Sequence, residues 1–153
     1  FGQFGRRGVG YSIESLKNKI SEILGLNKNW KVCICGMGNL GSALLAYKGF
    51  KEQNLNISAC FDNDPKKSHK KKGNILIYPL EDMKKVIKSM NIEIAIIATP
   101  TTAAQGILER LVCCDIKAVL NFAPVKLIVP TGVKLRNVDL STELFNLTYF
   151  LSQ

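Results

Sequence analysis

Apolar residues at Ile13, Leu16, Ile20, Ile23 and Leu24 follow the spacing of one helix face. Residues 12–25 therefore predict a helix, with Ser12 as its cap, Glu14 in its first turn and Gly25 at its end. From Lys31 onward the pattern changes. Short apolar runs at Lys31–Cys35, Ile57–Phe61, Ile75–Tyr78, Ile92–Ala98, Lys117–Phe122 and Val133–Val138 predict strands. Between them lie helix-like segments at Leu40–Lys48, from Pro79 to Met90, and from a Thr101 or Thr102 cap to Cys114. Ile92–Ala98 is apolar except for Glu93, as a strand buried on both faces should be. This alternation predicts an α/β fold, a Rossmann-type mostly parallel sheet with helices on both faces. The final segment, Asp139–Gln153, predicts a helix. Its Leu140, Leu144, Leu147 and Leu151 stripe is widened by Phe145, Tyr149 and Phe150. So much apolar surface needs a large partner, either the helix's own domain or a second subunit.

Composition limits the classes of function. At 153 residues the chain is expected to be one domain, or one domain with an appended element. With 46% hydrophobic and 22% charged residues it is not intrinsically disordered. No apolar run reaches the ~18 residues of a membrane span, so no membrane association is expected. The opening Phe1-Gly2-Gln3-Phe4-Gly5 has neither a Met nor a signal-peptide pattern, as in a chain that starts inside a longer protein or has lost residues. The net charge of +9 favours polyanionic partners or soluble, self-repelling monomers. Five cysteines, an odd number, all lie in or beside apolar runs. They read as buried thiols of a cytoplasmic protein, and Cys33 and Cys35 alternate within a strand without the spacing of a metal site. Residues 1–11 hold four glycines around Arg6 and Arg7, and read as a flexible arm or as a basic loop that touches phosphate.

The strongest local signal is Gly36-Met37-Gly38-Asn39-Leu40-Gly41, a G-x-G-x-x-G turn between a predicted strand and a predicted helix. Gly36 allows the tight turn, Gly38 a close approach of backbone to pyrophosphate, and Gly41 tight packing of helix on strand. The helix N-terminus adds free N–H groups and positive partial charge for the anion. The next strand ends at Phe61-Asp62-Asn63-Asp64-Pro65, 26 residues after Gly36. A carboxylate there accepts hydrogen bonds from ribose hydroxyls and repels a 2′-phosphate, which favours NAD over NADP. Asp62, first after the strand, is preferred to Asp64. Lys66, Lys67, Lys70, Lys71 and Lys72 either coat a surface loop or neutralise a 2′-phosphate. In a doubly wound sheet Ala98-Thr99-Pro100-Thr101-Thr102, with Thr99, Pro100 and Thr101 foremost, and Asn121-Phe122-Ala123-Pro124 share the strand-end edge with the turn, and so border the cofactor. No His or Cys stands at such an edge beside an orienting carboxylate, and His69 lies isolated among lysines. No catalytic residue is expected, so binding fits better than turnover.

Together these segments resemble the Rex family of bacterial redox-sensing transcriptional repressors. The resemblance spans essentially the whole chain. It rests on Phe4-Gly5-Arg6-Arg7-Gly8-Val9-Gly10-Tyr11, the glycine turn, Phe61 to Pro65, Leu120-Asn121-Phe122-Ala123-Pro124 and Asn137-Val138-Asp139-Leu140. It implies a homodimeric repressor that binds NADH and NAD⁺ competitively and releases operator DNA when NADH is bound. It further implies that residues 1–11 are the remnant of an N-terminal winged-helix domain, its wing included, with Arg6 and Arg7 touching DNA. Residues 12–138 become the nucleotide-binding domain, and residues 139–153 a helix exchanged with the partner subunit. Tyr47 and Asp139 are implied on the nicotinamide side of the switch. Without the recognition helix, this chain alone is expected to bind operator weakly or not at all. The alternatives are a small NAD-dependent oxidoreductase, and a coenzyme A-binding domain like those of acyl-CoA synthetases.

Overall fold

A computed structural model of the chain describes residues 12–153. The expectations for residues 1–11, including Arg6 and Arg7, lie outside the described residues. Helix α1 (Ile13–Ile23) precedes strand β1 (Trp30–Cys35), helix α2 (Asn39–Ala46), the single turn α3 (Gly49–Glu52) and strand β2 (Leu55–Asp62). A short hairpin of β3 (Lys71–Lys72) and β4 (Ile75–Pro79) leads into α4 (Met83–Met90), β5 (Ile94–Ile97) and α5 (Thr101–Cys113). Strands β6 (Ala118–Asn121) and β7 (Lys134–Asn137) and helix α6 (Leu140–Leu151) complete the order.

The strands form one sheet in the order β3-β4-β2-β1-β5-β6-β7. Every pairing is parallel except β3 with β4. The six parallel strands thus run outward in both directions from β1, the doubly wound arrangement. Alternation along β1 divides the core. Cys33 and Cys35 pack with Met83, Ile87, Ile107 and Leu111 of α4 and α5 on one face. Val32 and Ile34 pack with Leu44 and Leu45 of α2 and Phe50 of α3 on the other. Both sets are buried because a central parallel strand has no solvent face. Burial pushes the Cys60 thiol up to about 12, aided by nearby Cys33. The hydrogen bond to Cys33, followed by burial, raises Cys35 as well.

Several boundaries differ from the sequence reading. Pro79 is not the first helical residue but the cap of the helical stretch that follows it. It ends β4 opposite Asp62, where a residue without an N–H is tolerated, and a 3₁₀ turn over Leu80–Asp82 precedes α4. The helix expected to reach Lys48 stops at Ala46, because Tyr47 turns extended (ψ 111°) and α3 starts afresh. Thr101 is the first residue of α5 and not its cap, a position held by Pro100 without a side-chain bond. Cys113 is exposed, against the expectation of a buried thiol, while half-buried Cys114 packs against the edge of the core. The β6–β7 connection carries no helix and is an irregular loop. Ser12 does cap α1, its Oγ accepting the Ser15 N–H at 3.3 Å, and Gly25 follows the helix in the left-handed region.

Neither α1 nor α6 buries a residue. Phe145 is 70% and Phe150 73% exposed, so α6 does not dock on its own domain. Among the described residues no helix is long and apolar enough to cross a membrane.

Candidate functional site

The carboxyl ends of β1, β2, β5 and β6 share one edge, and the strand order reverses beside β1. A cleft of about 770 Å³ opens there, within the roughly 300–1,000 Å³ typical of small-molecule sites.

Its first wall is the turn after β1. Gly36 has φ +97°, and its N–H donates to the Phe61 carbonyl at 2.8 Å. A Cβ on Gly36 would stand 2.5 Å from the Ala98 carbonyl oxygen, and one on Gly41 1.8 Å from the Gly36 carbonyl oxygen. Those two glycines let β1, β5 and α2 meet. Gly38 differs, since a Cβ there would meet nothing within 4 Å. Its bare backbone therefore borders open cleft. Gly38 caps α2 without a side-chain bond, leaving the first N–H groups of that helix available to an acceptor.

The second wall is the end of β2. Asp62 is only 6% exposed. Its Oδ2 accepts the Met37 N–H at 2.7 Å and the Lys67 Nζ at 3.3 Å, and its Oδ1 accepts the Asp64 N–H at 2.8 Å. Burial alone would raise this carboxyl, but the N–H groups of Asp64 and Met37, joined by Lys67, hold it below the usual carboxylate range. Asp64 has a different task. Its Oδ1 accepts the Lys66 N–H at 2.9 Å and its carbonyl accepts the Lys67 N–H at 3.0 Å, forming the turn that brings Lys67 back to Asp62.

The third wall is Ala98–Ala103, at the end of β5 and the uncapped start of α5. Here the Thr99 hydroxyl oxygen is buried with no hydrogen-bond partner among the described residues, an orphan that a ligand donor or acceptor would satisfy. Phe122, Ala123 and Pro124 after β6 close the fourth side.

Twelve of the fifteen residues expected at a cofactor line this cleft: Gly36, Gly38, Asn39, Leu40, Asp62, Asp64, Thr99, Pro100, Thr101, Phe122, Ala123 and Pro124. The other three support it. Met37 turns its side chain into the core and only its N–H toward Asp62, while Gly41 is buried beneath the turn. Asn121 is fully buried behind the Phe122–Pro124 loop. Tyr47 and Asp139 do not join the cleft. Tyr47 is 61% exposed at the far end of α2, against Phe50, and Asp139 is exposed as the cap of α6.

Ala98 and Thr102, the ends of the expected strand-end segment, also line the cleft, whereas Phe61, Asn63, Leu80, Ala103 and Ile107 were not expected there and Lys67 was expected only as one of a basic run. Lys67 was hidden in a run that otherwise reads as solvated charge, although its position at the Asp64 turn distinguishes it. The apolar members carry no chemical signature and become visible only through the crossover of strands.

Comparison with known proteins gives this geometry its context. Residues 27–125 match the family model described as CoA binding domain, and this segment belongs to that domain family. Over 149 residues the chain is 46% identical to the redox-sensing transcriptional repressor Rex of Desulfitobacterium hafniense, covering 97% of this chain and 71% of that protein. It is 48% identical over 153 residues to the Rex of Pelotomaculum thermopropionicum, covering 100% and 72%. The chain belongs to the Rex family. Its fold superimposes on RSP, a Rex-family repressor, in complex with β-NAD⁺ and operator DNA (TM-score 0.86, 39% identity, 98% of this chain and 69% of that one). The complex of RSP with β-NADH matches with TM-score 0.83 and 38% identity, over 93% and 69%. These Rex relatives are named transcriptional repressors and not enzymes.

Proposed function

We propose that this chain is the nucleotide-sensing and dimerisation part of a cytoplasmic redox-sensing transcriptional repressor. It binds NADH or NAD⁺ competitively, and the NADH-bound form releases operator DNA. The observation that carries the reading is the pairing of the open Gly38 backbone, at an uncapped helix start, with the buried Asp62 carboxylate beside it. Donors for a pyrophosphate and an acceptor for a ribose diol stand on adjacent strand ends, as a dinucleotide requires.

The residues divide by chemistry. The N–H groups of Asn39 and Leu40 would hold phosphate oxygens. Asp62 would accept from the adenosine ribose, and Asp64 shapes its loop. Thr99, Pro100 and Thr101 and the Phe122–Pro124 loop would border the middle and nicotinamide portions. A dinucleotide supplies redox state as the signal and no chemistry is done on it, so no catalytic residue is assigned. Coenzyme A carries a ribose 3′-phosphate, which a buried carboxylate at Asp62 repels as it would a 2′-phosphate.

The exposed apolar faces of α1 and α6 support a homodimer in which α6 packs on, or is exchanged with, a second copy. Tyr47 and Asp139, both outside the cleft within one chain, reach the switch only if that second copy brings them to it. The first eleven residues are read as the wing remnant, with Arg6 and Arg7 on DNA. Operator binding belongs to the whole protein and is weak or absent in this chain.

The test is a fluorescence titration with NADH, followed by displacement with NAD⁺, NADPH and coenzyme A. Tight NADH binding, reversed only by a large excess of NAD⁺ and not matched by NADPH or coenzyme A, is expected. Equal affinity for NADH and NAD⁺ would remove the basis of a redox switch.

A further inference from the structure

The Asn137–Leu140 segment contributes nothing to the cleft, yet it joins the cleft wall through one buried side chain. Asn121, at the end of β6, has no solvent exposure. Its Nδ2 donates to the Ala123 carbonyl at 2.9 Å, and its Oδ1 accepts the Ala123 N–H at 3.0 Å. The amide thus clamps both sides of a residue that lines the cleft. The second Nδ2 hydrogen goes to Asn137 Oδ1, also at 2.9 Å. Asn137 stands opposite Asn121 in the β6–β7 register, and the Val138 N–H donates to the Asn121 carbonyl at 2.8 Å. One residue further on, Asp139 Oδ1 accepts the Ser141 and Thr142 N–H groups and starts α6.

We propose that Asn121 is a positioning residue whose side-chain bond to Asn137 couples the nucleotide-facing Phe122–Pro124 loop to the start of α6. This rests on the nucleotide reading above and adds the route by which the cleft reaches the dimerisation helix. The physical reason is lack of slack. A fully buried amide with three hydrogen bonds cannot release one to water, so a shift of Ala123 must carry the amide with it. The amide in turn carries Asn137, two residues from the cap of α6. Neither asparagine needs to touch the ligand.

The experiment measures amide hydrogen exchange of peptides covering residues 139–144 in the full chain, with and without saturating NADH. It compares wild type, Asn137→Ala and Asn137→Asp, the last of which keeps the acceptor. In wild type, NADH is expected to change exchange there by about fivefold or more, the lower range of ordinary site-to-site coupling. Asn137→Ala should bind NADH within about threefold of wild type, a difference well under one decade of affinity, and lose the change at residues 139–144. Asn137→Asp should restore it. A wild-type response in Asn137→Ala would overturn the coupling, as would wild type that binds NADH without any change at residues 139–144. Wild type that fails to bind NADH would instead overturn the nucleotide reading, and the coupling with it.

Discussion

The three glycines of the turn look alike in the sequence, but the structure separates them by what a methyl group would meet. At Gly41 a Cβ would sit 1.8 Å from the Gly36 carbonyl oxygen, which is backbone and cannot rotate away. The start of α2 would have to retreat by more than an ångström from β1. Overpacking of this kind costs about 1–3 kcal/mol or more, and each kcal/mol lowers the melting temperature by roughly 2–4 °C in a domain of this size. Gly41→Ala should therefore melt several degrees below wild type. At Gly38 the added methyl would meet nothing within 4 Å, and the residue's φ of −77° suits alanine. Losing glycine at a helix cap and restricting the unfolded chain act in opposite directions by about 0.5–1 kcal/mol each and largely cancel. Gly38→Ala should then melt within about 2 °C of wild type. Its methyl, however, would occupy the open space through which a pyrophosphate approaches in the proposed binding mode. A loss of about 1–3 kcal/mol there corresponds to roughly 5- to 150-fold weaker NADH binding. Thermal unfolding and nicotinamide fluorescence titration measure the two effects separately. If Gly38→Ala bound NADH as wild type does, phosphates would not pass over this turn. If it lost as much stability as Gly41→Ala, the distinction between the two glycines would be wrong.

Other outcomes follow from the same geometry. Asp62→Asn should weaken NADH binding and narrow the preference over NADPH, read as the ratio of the two dissociation constants. Because the Asp62 carboxyl is held below its usual range in the folded chain, its contribution to stability is present above the unfolded value of about 4 and is lost as pH falls through the lowered folded value. The stability gap between wild type and Asp62→Asn should accordingly be constant from about pH 5 to 8 and shrink below about pH 4, as followed by urea denaturation. Thr99→Val removes a buried hydroxyl that has no partner among the described residues. It should stabilise the free chain by up to about 1 kcal/mol and weaken NADH by roughly 3- to 10-fold, in denaturation and titration respectively. If α6 holds the proposed dimer together, Leu144→Glu combined with Phe145→Glu, on its exposed face, should sediment as a monomer where wild type sediments as a dimer, while leaving NADH binding measurable.

The strand-helix alternation was legible because each parallel strand must be apolar on both faces and each covering helix on one. Those periodicities survive without a partner in view. The glycine turn and the acidic end of β2 were legible for a related reason. Backbone geometry and charge at a phosphate site admit few residue types, so Gly36, Gly38, Gly41 and Asp62 stand out one by one. Boundaries were less legible where backbone pairing outweighed local preference. Pro79 favours a helix start by itself, and only its pairing opposite Asp62 made it the end of a strand. Local sequence also could not assign Lys67, Asn121 and Thr99. Lys67 looks like its solvated neighbours until the Asp64 turn folds it onto Asp62. Asn121 looks like a strand-end ligand contact until β7 arrives to take its amide. Thr99 becomes an orphan only when β5 and α5 close over it. Sequence by itself determined which segments must be buried and where an anion could meet bare backbone, since those are properties of single residues and short periods. Only the tertiary structure decided which polar side chains face the cleft and which hold its walls, because a side chain's role is set by the neighbours that distant strands bring to it.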